Sequence, residues 1–499
     1  MKFITLTFGC QMNYADAARI RSMLQYIGRM HVSKEEDADI IIFVTCSVRE
    51  KAEDKITGRL MTIPKHQKIW MTGCMPQHFI KTARLLDSKK TPSLFKIGNF
   101  LGKAKKGATI VGRDSDSVAT SKAKNVIPVN YAFNPLYHTL KTTYDNIELF
   151  FRIDDTGHLP SIVRALGYDI GEEKSQSYDE YNEIIMQPTT MHTQATTVSS
   201  FVPISTGCSQ FCSYCIVPYA RGLENHLDPE MILTQIRHHL DQGVQEITLL
   251  GQIVNKHPQF VSILEQIFAM ESDLKWLRYT SPYPTFYSDA LIKLHAEEPR
   301  LCPHIHIPLQ SGSDTILKAM HRGYTSEQFR SMIVKIRSLD RYINLTTDVI
   351  VGFCDETEED FLKTLDLVDY AQFTMIYIGK YSVRPGTYAA NHLKDTITKQ
   401  EKEERRRRLN ECFMANAARQ FQQFIGQTHE VLITHVSKQG AKGYNQYMHN
   451  IIIPTCHDKT LVGQFVDVVI TGTQGLHLDG ELLSKSIPKK RLVVGIKSI

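Results

Sequence analysis

Three cysteines, Cys208, Cys212 and Cys215, fall within one short run, Gly207-Cys-Ser-Gln-Phe-Cys-Ser-Tyr-Cys215. Thiolates so spaced can wrap one cubane iron–sulfur cluster and leave its fourth iron without a protein ligand, open to a bound substrate. A structural zinc ion is the competing use, although zinc asks for four protein ligands and no fourth Cys or His lies close in the chain. Three more cysteines, Cys10, Cys46 and Cys74, are too far apart to form a motif by spacing. Each instead directly follows an apolar run: Leu6-Thr-Phe-Gly-Cys10, Ile42-Phe-Val-Thr-Cys46 and Trp70-Met-Thr-Gly-Cys74. If those runs are parallel strands of one sheet, all three thiols meet at its carboxyl edge, where open α/β sheets bind ligands. Buried structural cysteines are the alternative for this set. Cys302, Cys354, Cys412 and Cys456 fit no ligand pattern and read as structural.

The surrounding elements suit that placement. Apolar strand-like runs at 2–8, 38–45 and 68–72, with a helix near 16–26, have the rhythm of a parallel α/β sheet. Between about 82 and 145 the rhythm is lost among Gly, Ser, Asp and scattered Lys, which reads as an insertion. It returns with a strand at 147–153 and a helix at 159–166, and a stretch rich in Ser, Thr and Gln at 171–199 reads as a linker. Six apolar runs follow, at 201–205, 245–250, 276–280, 304–309, 343–351 and 373–381, separated by helical segments. Six β-then-α units predict a partial parallel barrel with its active site at the carboxyl ends of the strands. A charged helix at 399–423 comes next, whose Arg405 to Arg408 run, preceded by Glu401, Glu403 and Glu404, reads as a solvated face. Short β-rich runs at 430–434 and 464–471 predict a small all-β barrel. The expected fold class is therefore α/β, with an N-terminal parallel domain (1–170), a central (βα)6 partial barrel (200–425) and a C-terminal β-barrel (426–499).

Bulk properties agree. A chain of 499 residues, at roughly 150 per domain, has room for three. Hydrophobic residues at 42% and charged residues at 22% describe an ordinary globular protein. The N-terminus lacks the pattern of a secretory signal and no apolar run reaches the roughly 18 residues that span a bilayer, so a cytoplasmic, membrane-free protein is expected. In such a setting ten cysteines point to metal or redox chemistry rather than disulfides. A net charge of +5 permits a nucleic-acid partner without establishing one.

The C-x3-C-x2-C spacing with an aromatic residue before the last Cys resembles the signature of the radical S-adenosylmethionine (SAM) superfamily. That resemblance implies a [4Fe-4S] cluster on Cys208, Cys212 and Cys215, SAM on its open iron, and Tyr214 near the SAM adenine. Thr7-Phe-Gly-Cys-Gln-Met-Asn13 and Thr45-Cys-Ser-Val-Arg-Glu-Lys-Ala-Glu-Asp-Lys-Ile56 resemble the N-terminal domain of the methylthiotransferases, most closely those acting on isopentenyladenosine in tRNA. The likeness continues through Val217-Pro-Tyr-Ala-Arg-Gly222, Leu249-Leu-Gly-Gln252, Thr280-Ser-Pro282, His306-Ile-Pro-Leu-Gln-Ser-Gly-Ser313, Thr347-Asp-Val-Ile-Val-Gly-Phe353 and Tyr381-Ser-Val-Arg-Pro-Gly-Thr387. It covers nearly all of the chain except the insertion.

The resemblance implies a second [4Fe-4S] cluster on Cys10, Cys46 and Cys74 that supplies or holds sulfur, with a second SAM donating the methyl group. It implies conversion of N6-isopentenyladenosine at position 37, next to the tRNA anticodon, to its 2-methylthio derivative. A monomer that takes electrons from flavodoxin or ferredoxin is expected. Gln252, Asn255, Gln310, Ser311, Ser313, Asp348 and Arg384 fall after the expected strands and are candidate SAM or substrate contacts. Both clusters must face one cavity, so the N-terminal domain should sit over the barrel mouth. The tail resembles a TRAM domain, with eight Lys/Arg against five Asp/Glu after Thr428 and with Tyr444 and Tyr447 available to stack on bases. Three places depart from the family's words: Asn225-His226, Ile253 and Cys354-Asp355. Left open are a related methylthiotransferase acting on threonylcarbamoyladenosine or a ribosomal protein, and a non-catalytic RNA-binding protein stabilised by metal.

Overall fold

The computed structural model describes residues 1–46, 50–76, 109–110, 126–127, 143–168 and 198–483. The expected insertion and linker lie almost wholly outside them; within the insertion, Thr109–Ile110 pairs in parallel with Val126–Ile127.

Five parallel strands form the first sheet: β1 (Lys2–Thr7), β2 (Met30–His31), β3 (Ile40–Thr45), β4 (Lys68–Gly73) and β5 (Ile147–Phe150), in the order β2-β1-β3-β4-β5. Every residue of β3 is buried, which is why it reads as an unbroken apolar run: a parallel strand is covered on both faces. Helix α1 (Gln11–Tyr26) packs Ala17, Ile20, Met23 and Leu24 against Phe3, Ile40 and Ile42 on one face. Ile56 and Leu60 of the helix Glu50–Leu60 cover the other, against Ile41, Phe43 and Met71.

The second unit has six parallel strands: β6 (Ser199–Pro203), β7 (Glu246–Leu250), β8 (Trp276–Tyr279), β9 (His304–His306), β10 (Asn344–Val351) and β11 (Met375–Lys380). They form two three-stranded ladders, β6-β7-β8 and β9-β10-β11. A parallel bridge between Leu277 and Leu301 joins the two; there the Leu277 N–H donates to the Arg300 carbonyl at 2.8 Å and the Cys302 N–H to the Leu277 carbonyl at 2.9 Å. Strand order follows chain order, which is the expected (βα)6 partial barrel. The charged helix spans Lys399–Gln422, and its four consecutive arginines are all paired: Arg405 with Glu356, Arg406 with Glu403, Arg407 with Glu404 and Glu411, and Arg408 with Glu358.

The tail closes into a barrel of β12 (Thr428–Ser437), β13 (Gly440–Asn445), β14 (Asn450–Ile453), β15 (Phe465–Gln474) and β16 (His477–Leu482). Its contact with the α/β unit corrects the reading of its tyrosines. Tyr444 donates its hydroxyl to Glu246 and turns its ring to Trp276 at 6.0 Å, while the Tyr447 ring stacks on His449 at 5.6 Å. Arg278 completes this contact, bonding Glu246 at 2.8 Å and the carbonyls of Asn445 and Gln446 at 3.0 and 2.7 Å. Both rings are engaged by the protein rather than offered to a base: β8 presents Trp276 and Arg278 to Tyr444, and Tyr342, Phe424 and His449 surround Tyr447. Among the described residues no helix is long and apolar enough to cross a membrane.

Candidate active site

β1, β3 and β4 are neighbours, with Thr7 opposite Val44 and Thr45 opposite Gly73. Cys46 and Cys74 are thus the next residues of paired strands. Gly9 lets the Cys10 loop close over them: a Cβ there would stand 2.2 Å from Asn13 Oδ1 and 3.0 Å from Cys46 Cβ. Asn13, fully buried, accepts from the Cys10 N–H at 3.3 Å and donates Nδ2 to the Thr45 carbonyl at 3.1 Å. One amide therefore ties the first cysteine loop to the residue before the second cysteine, and the three expected thiols are brought to one edge.

The other three follow β6. Gly207 has φ 69°, and a Cβ there would meet the Leu223 carbonyl oxygen at 2.1 Å, so the turn into Cys208 requires glycine. Ser213 clamps the loop from inside. Its N–H donates to the Met320 carbonyl at 3.0 Å, its Oγ to the Ala319 carbonyl at 2.8 Å, and its own carbonyl accepts from the Ala389 N–H at 2.7 Å. Tyr214 packs edge-on against Phe353, ring centroids 6.4 Å apart.

Burial pushes the Cys74 and Cys208 thiols up, and that of Cys215 up to about 12; at Cys74 the Arg221 guanidinium opposes the effect. Thiols so desolvated become thiolates when a metal centre binds them. The donor chemistry fits iron–sulfur ligation: two sets of three thiols, each beside a half-buried arginine. Among the described residues no three His, Cys, Asp or Glu side chains crowd one point as the ligands of a single ion would. Cubane ligands bind different irons and stand further apart.

Sequence reasoning missed both arginines. Arg221 ends the helix Val217–Arg221, which starts two residues after Cys215. Its Nε donates to Cys74 Sγ at 3.2 Å and its Nη2 to Asp16 Oδ2 at 2.6 Å. Beside this pair, Met12 and Ala15 of α1 pack on Leu250 and Phe201, so the thiol edge of the first sheet rests on the carboxyl end of β7. Arg322 donates Nη1 to Cys212 Sγ at 3.3 Å and Nη2 to the Pro308 carbonyl at 3.2 Å. A charged residue carries no local sign of its own burial.

The remaining candidates separate by what holds them. Asn255 is engaged on both sides of its amide by the Tyr283 backbone, at 3.1 and 2.8 Å. Ser311 and Ser313 are fully buried, with their hydroxyls on Thr364 at 3.3 Å and Asp360 at 2.6 Å. Asp348 pairs with His306 Nε2 at 3.1 Å. Gln310 holds φ 67° and keeps its Oε1 buried without a hydrogen-bond partner, the kind of group a ligand satisfies. Gln252 is half-buried just after β7, and Arg384 is half-buried in the turn closed by Thr387 Oγ1 on its carbonyl at 2.8 Å. The family departures fall in packing: Ile253 and Cys354 are buried, Asn225–His226 pairs with Ser205–Thr206, and Asp355 takes φ 58°, which Asp tolerates better than most residues.

Residues 202–368 match the radical SAM superfamily, and residues 2–94 match the Uncharacterized protein family UPF0004. The chain is 32% identical over 483 residues to the tRNA-2-methylthio-N(6)-dimethylallyladenosine synthase of Geotalea uraniireducens, covering 95% of this chain and 97% of that one. With the protein of the same name from Moorella thermoacetica the identity is 33% over 497 residues, covering 96% and 98%. The chain belongs to this synthase family. Among solved structures it is similar to the radical S-adenosylmethionine methyltransferase TsrM from Kitasatospora setae, with TM-score 0.46 and 12% identity over 78% of this chain and 75% of that one. Membership of the synthase family makes the protein a radical SAM transferase that uses SAM and a [4Fe-4S] cluster. A non-catalytic, zinc-stabilised protein does not fit.

Proposed function

We propose that the protein methylthiolates tRNA, converting N6-isopentenyladenosine at position 37 to its 2-methylthio derivative, with Cys208, Cys212 and Cys215 holding the SAM-cleaving cluster and Cys10, Cys46 and Cys74 a second, sulfur-holding one. The adenine C–H is neither acidic nor electrophilic enough for proton-transfer or nucleophilic routes. A cluster held by Cys208, Cys212 and Cys215 would supply the electron for reductive cleavage of SAM, and with it radical chemistry at the C–H bond. The chain's own residues do the rest. Ser213 fixes the C-x3-C-x2-C loop, Asn13 fixes the Cys10 loop to β3, and Met12 and Ala15 of α1 hold the first sheet against Leu250 and Phe201. The observation that carries the reading is the Arg221 side chain, which leaves the segment after Cys215 and bonds Cys74 at 3.2 Å; it supports one site for the two thiol sets. A monomeric, cytoplasmic enzyme reduced by flavodoxin or ferredoxin is part of the same reading.

The test is a paired assay of 5′-deoxyadenosine and modified nucleoside under dithionite with isopentenylated tRNA. Cys46→Ala should retain SAM cleavage and form no methylthio product; Cys212→Ala should form neither. Methylthiolation surviving in the Cys46 variant overturns the two-cluster assignment.

A further inference from the structure

We propose that Arg221 is a positioning residue that raises the reduction potential of the cluster on Cys10, Cys46 and Cys74, setting it apart from the SAM-cleaving cluster. The inference rests on the two-cluster reading above.

The geometry starts at the sulfur. Arg221 Nε–H points at Cys74 Sγ from 3.2 Å, and hydrogen bonds to ligating sulfurs withdraw charge and are among the determinants of iron–sulfur potentials. The direction is upward, because the donated proton favours the more negative, reduced cluster.

A docking role alone does not explain this side chain. Arg221 and Asp16 are 6% and 3% exposed, and an ion pair taken out of water so completely contributes little net stability compared with an apolar pair of similar volume. The same stretch of α1 already docks through Met12 and Ala15 on Leu250 and Phe201. What the carboxylate adds is orientation. A guanidinium is a rigid planar fork, so fixing Nη2 on Asp16 Oδ2 at 2.6 Å fixes where Nε points. This is how outer partners orient and tune the ligands of a metal centre.

Arg322 shows the other arrangement. It meets Cys212 with a terminal nitrogen, and its remaining partners are the Pro308 carbonyl, the Tyr324 hydroxyl and the faces of Tyr283 and Tyr324. The two thiol sets thus sit beside guanidiniums held in different ways, one against a carboxylate and one against neutral groups. Arg221 also couples the sets mechanically, because the carbonyl of the next residue, Gly222, accepts from the Cys208 N–H at 3.0 Å. The turn that shapes the entry to the SAM-cleaving loop is the turn that aims Arg221 at the other set.

The experiment uses full-length protein with Cys208, Cys212 and Cys215 all changed to Ala, which leaves the N-terminal cluster alone. Its midpoint potential is measured by EPR-monitored redox titration, with iron and sulfide per chain measured alongside. Adding Arg221→Gln should shift the midpoint downward at unchanged iron content. Arg221→Lys, which keeps the charge without the fixed fork, should fall between the two. Iron loss with the surviving cluster at the parent potential is the result of a merely structural role and overturns the proposal, as does full occupancy at an unchanged potential. Should the Gln variant retain no cluster, the Lys variant decides by the same criterion. A background protein that holds no iron at all refutes the two-cluster reading, and this inference with it.

Discussion

The Arg322 guanidinium lies 4.4 Å from the centre of the Tyr283 ring while its Nη1 stands 3.3 Å from Cys212 Sγ. Stacking fixes the plane of the fork and so aims its donor at the sulfur. A hydrogen bond between charged partners contributes about 1.5–3 kcal/mol, or roughly tenfold to a hundredfold in a rate it controls. Arg322→Gln should therefore slow 5′-deoxyadenosine formation at least about tenfold with iron per chain unchanged. Arg322→Lys should recover part of the rate, since it keeps the charge and loses the stack. An undiminished rate in the Gln variant would show that the arginine serves packing alone.

The small barrel turns its aromatic side inward and leaves Lys438, Lys442 and Lys459 exposed. If it binds tRNA, it does so at phosphates through such lysines. Lys438→Ala and Lys442→Ala should each weaken tRNA binding and lower the slope of log affinity against log salt by about one for every phosphate left without its lysine. SAM cleavage should stay at its parent rate. Tyr444→Leu, which removes the flat ring, should bind tRNA as the parent does; weakened binding there with the lysine variants unaffected would restore the tyrosine as a base stacker. Point variants are better probes than deletion after Gln427, which would strip Trp276 of Phe465 and Tyr444 and leave Arg278 without its carbonyl partners.

Arg278 and Glu246 are 6% and 3% exposed, and their ion pair lies under the small barrel. Removing one partner leaves a buried charge uncompensated, at a cost of about 3–5 kcal/mol. Arg278→Met should lower the thermal unfolding temperature markedly, and adding Glu246→Gln to it should recover much of the loss. Simple addition of the two single effects would mean that the charges do not interact.

The parts of this architecture legible in the sequence are those in which one strand carries its own signal. β3 is covered on both faces and shows as a continuous apolar run that Cys46 follows at once, and Cys10 and Cys74 follow β1 and β4 within three residues. The helix expected near 16 starts earlier, at Gln11, because Asn13 reaches back to the Cys10 N–H and makes a cap of a residue type that rarely serves as one. Arg221, Arg322 and Asp16 escape a sequence reading for another reason. A charged residue is most often solvated, and nothing local in the chain shows that Asp16 and Arg221, 205 positions apart, neutralise one another in a buried contact. Tyr444 misleads in the opposite sense, since an aromatic residue in a basic tail looks the same whether it faces solvent or Trp276.

Asn255 offers the sharpest separation of contact from positioning. Its Nδ2 donates to the Tyr283 carbonyl at 3.1 Å and its Oδ1 accepts from the Tyr283 N–H at 2.8 Å. Tyr283 in turn accepts at its hydroxyl from Gln210 Nε2 at 3.1 Å, within the cysteine loop, and from the Gly323 N–H at 3.0 Å, beside Arg322. The amide thus acts on the C-x3-C-x2-C loop through Tyr283, with both its donor side and its acceptor side turned to that backbone. Asn255→Ala leaves two buried backbone groups unpaired, about 1–3 kcal/mol of local destabilisation, and loosens the residue that joins Gln210 to Arg322. The expected result is a kcat for 5′-deoxyadenosine lowered roughly tenfold while the KM for SAM changes less than about twofold, because binding common to ground and transition states is untouched. Asn255→Asp, which keeps the acceptor for the Tyr283 N–H and loses the donor, should fall between. A raised KM with kcat preserved would make Asn255 a direct SAM contact after all.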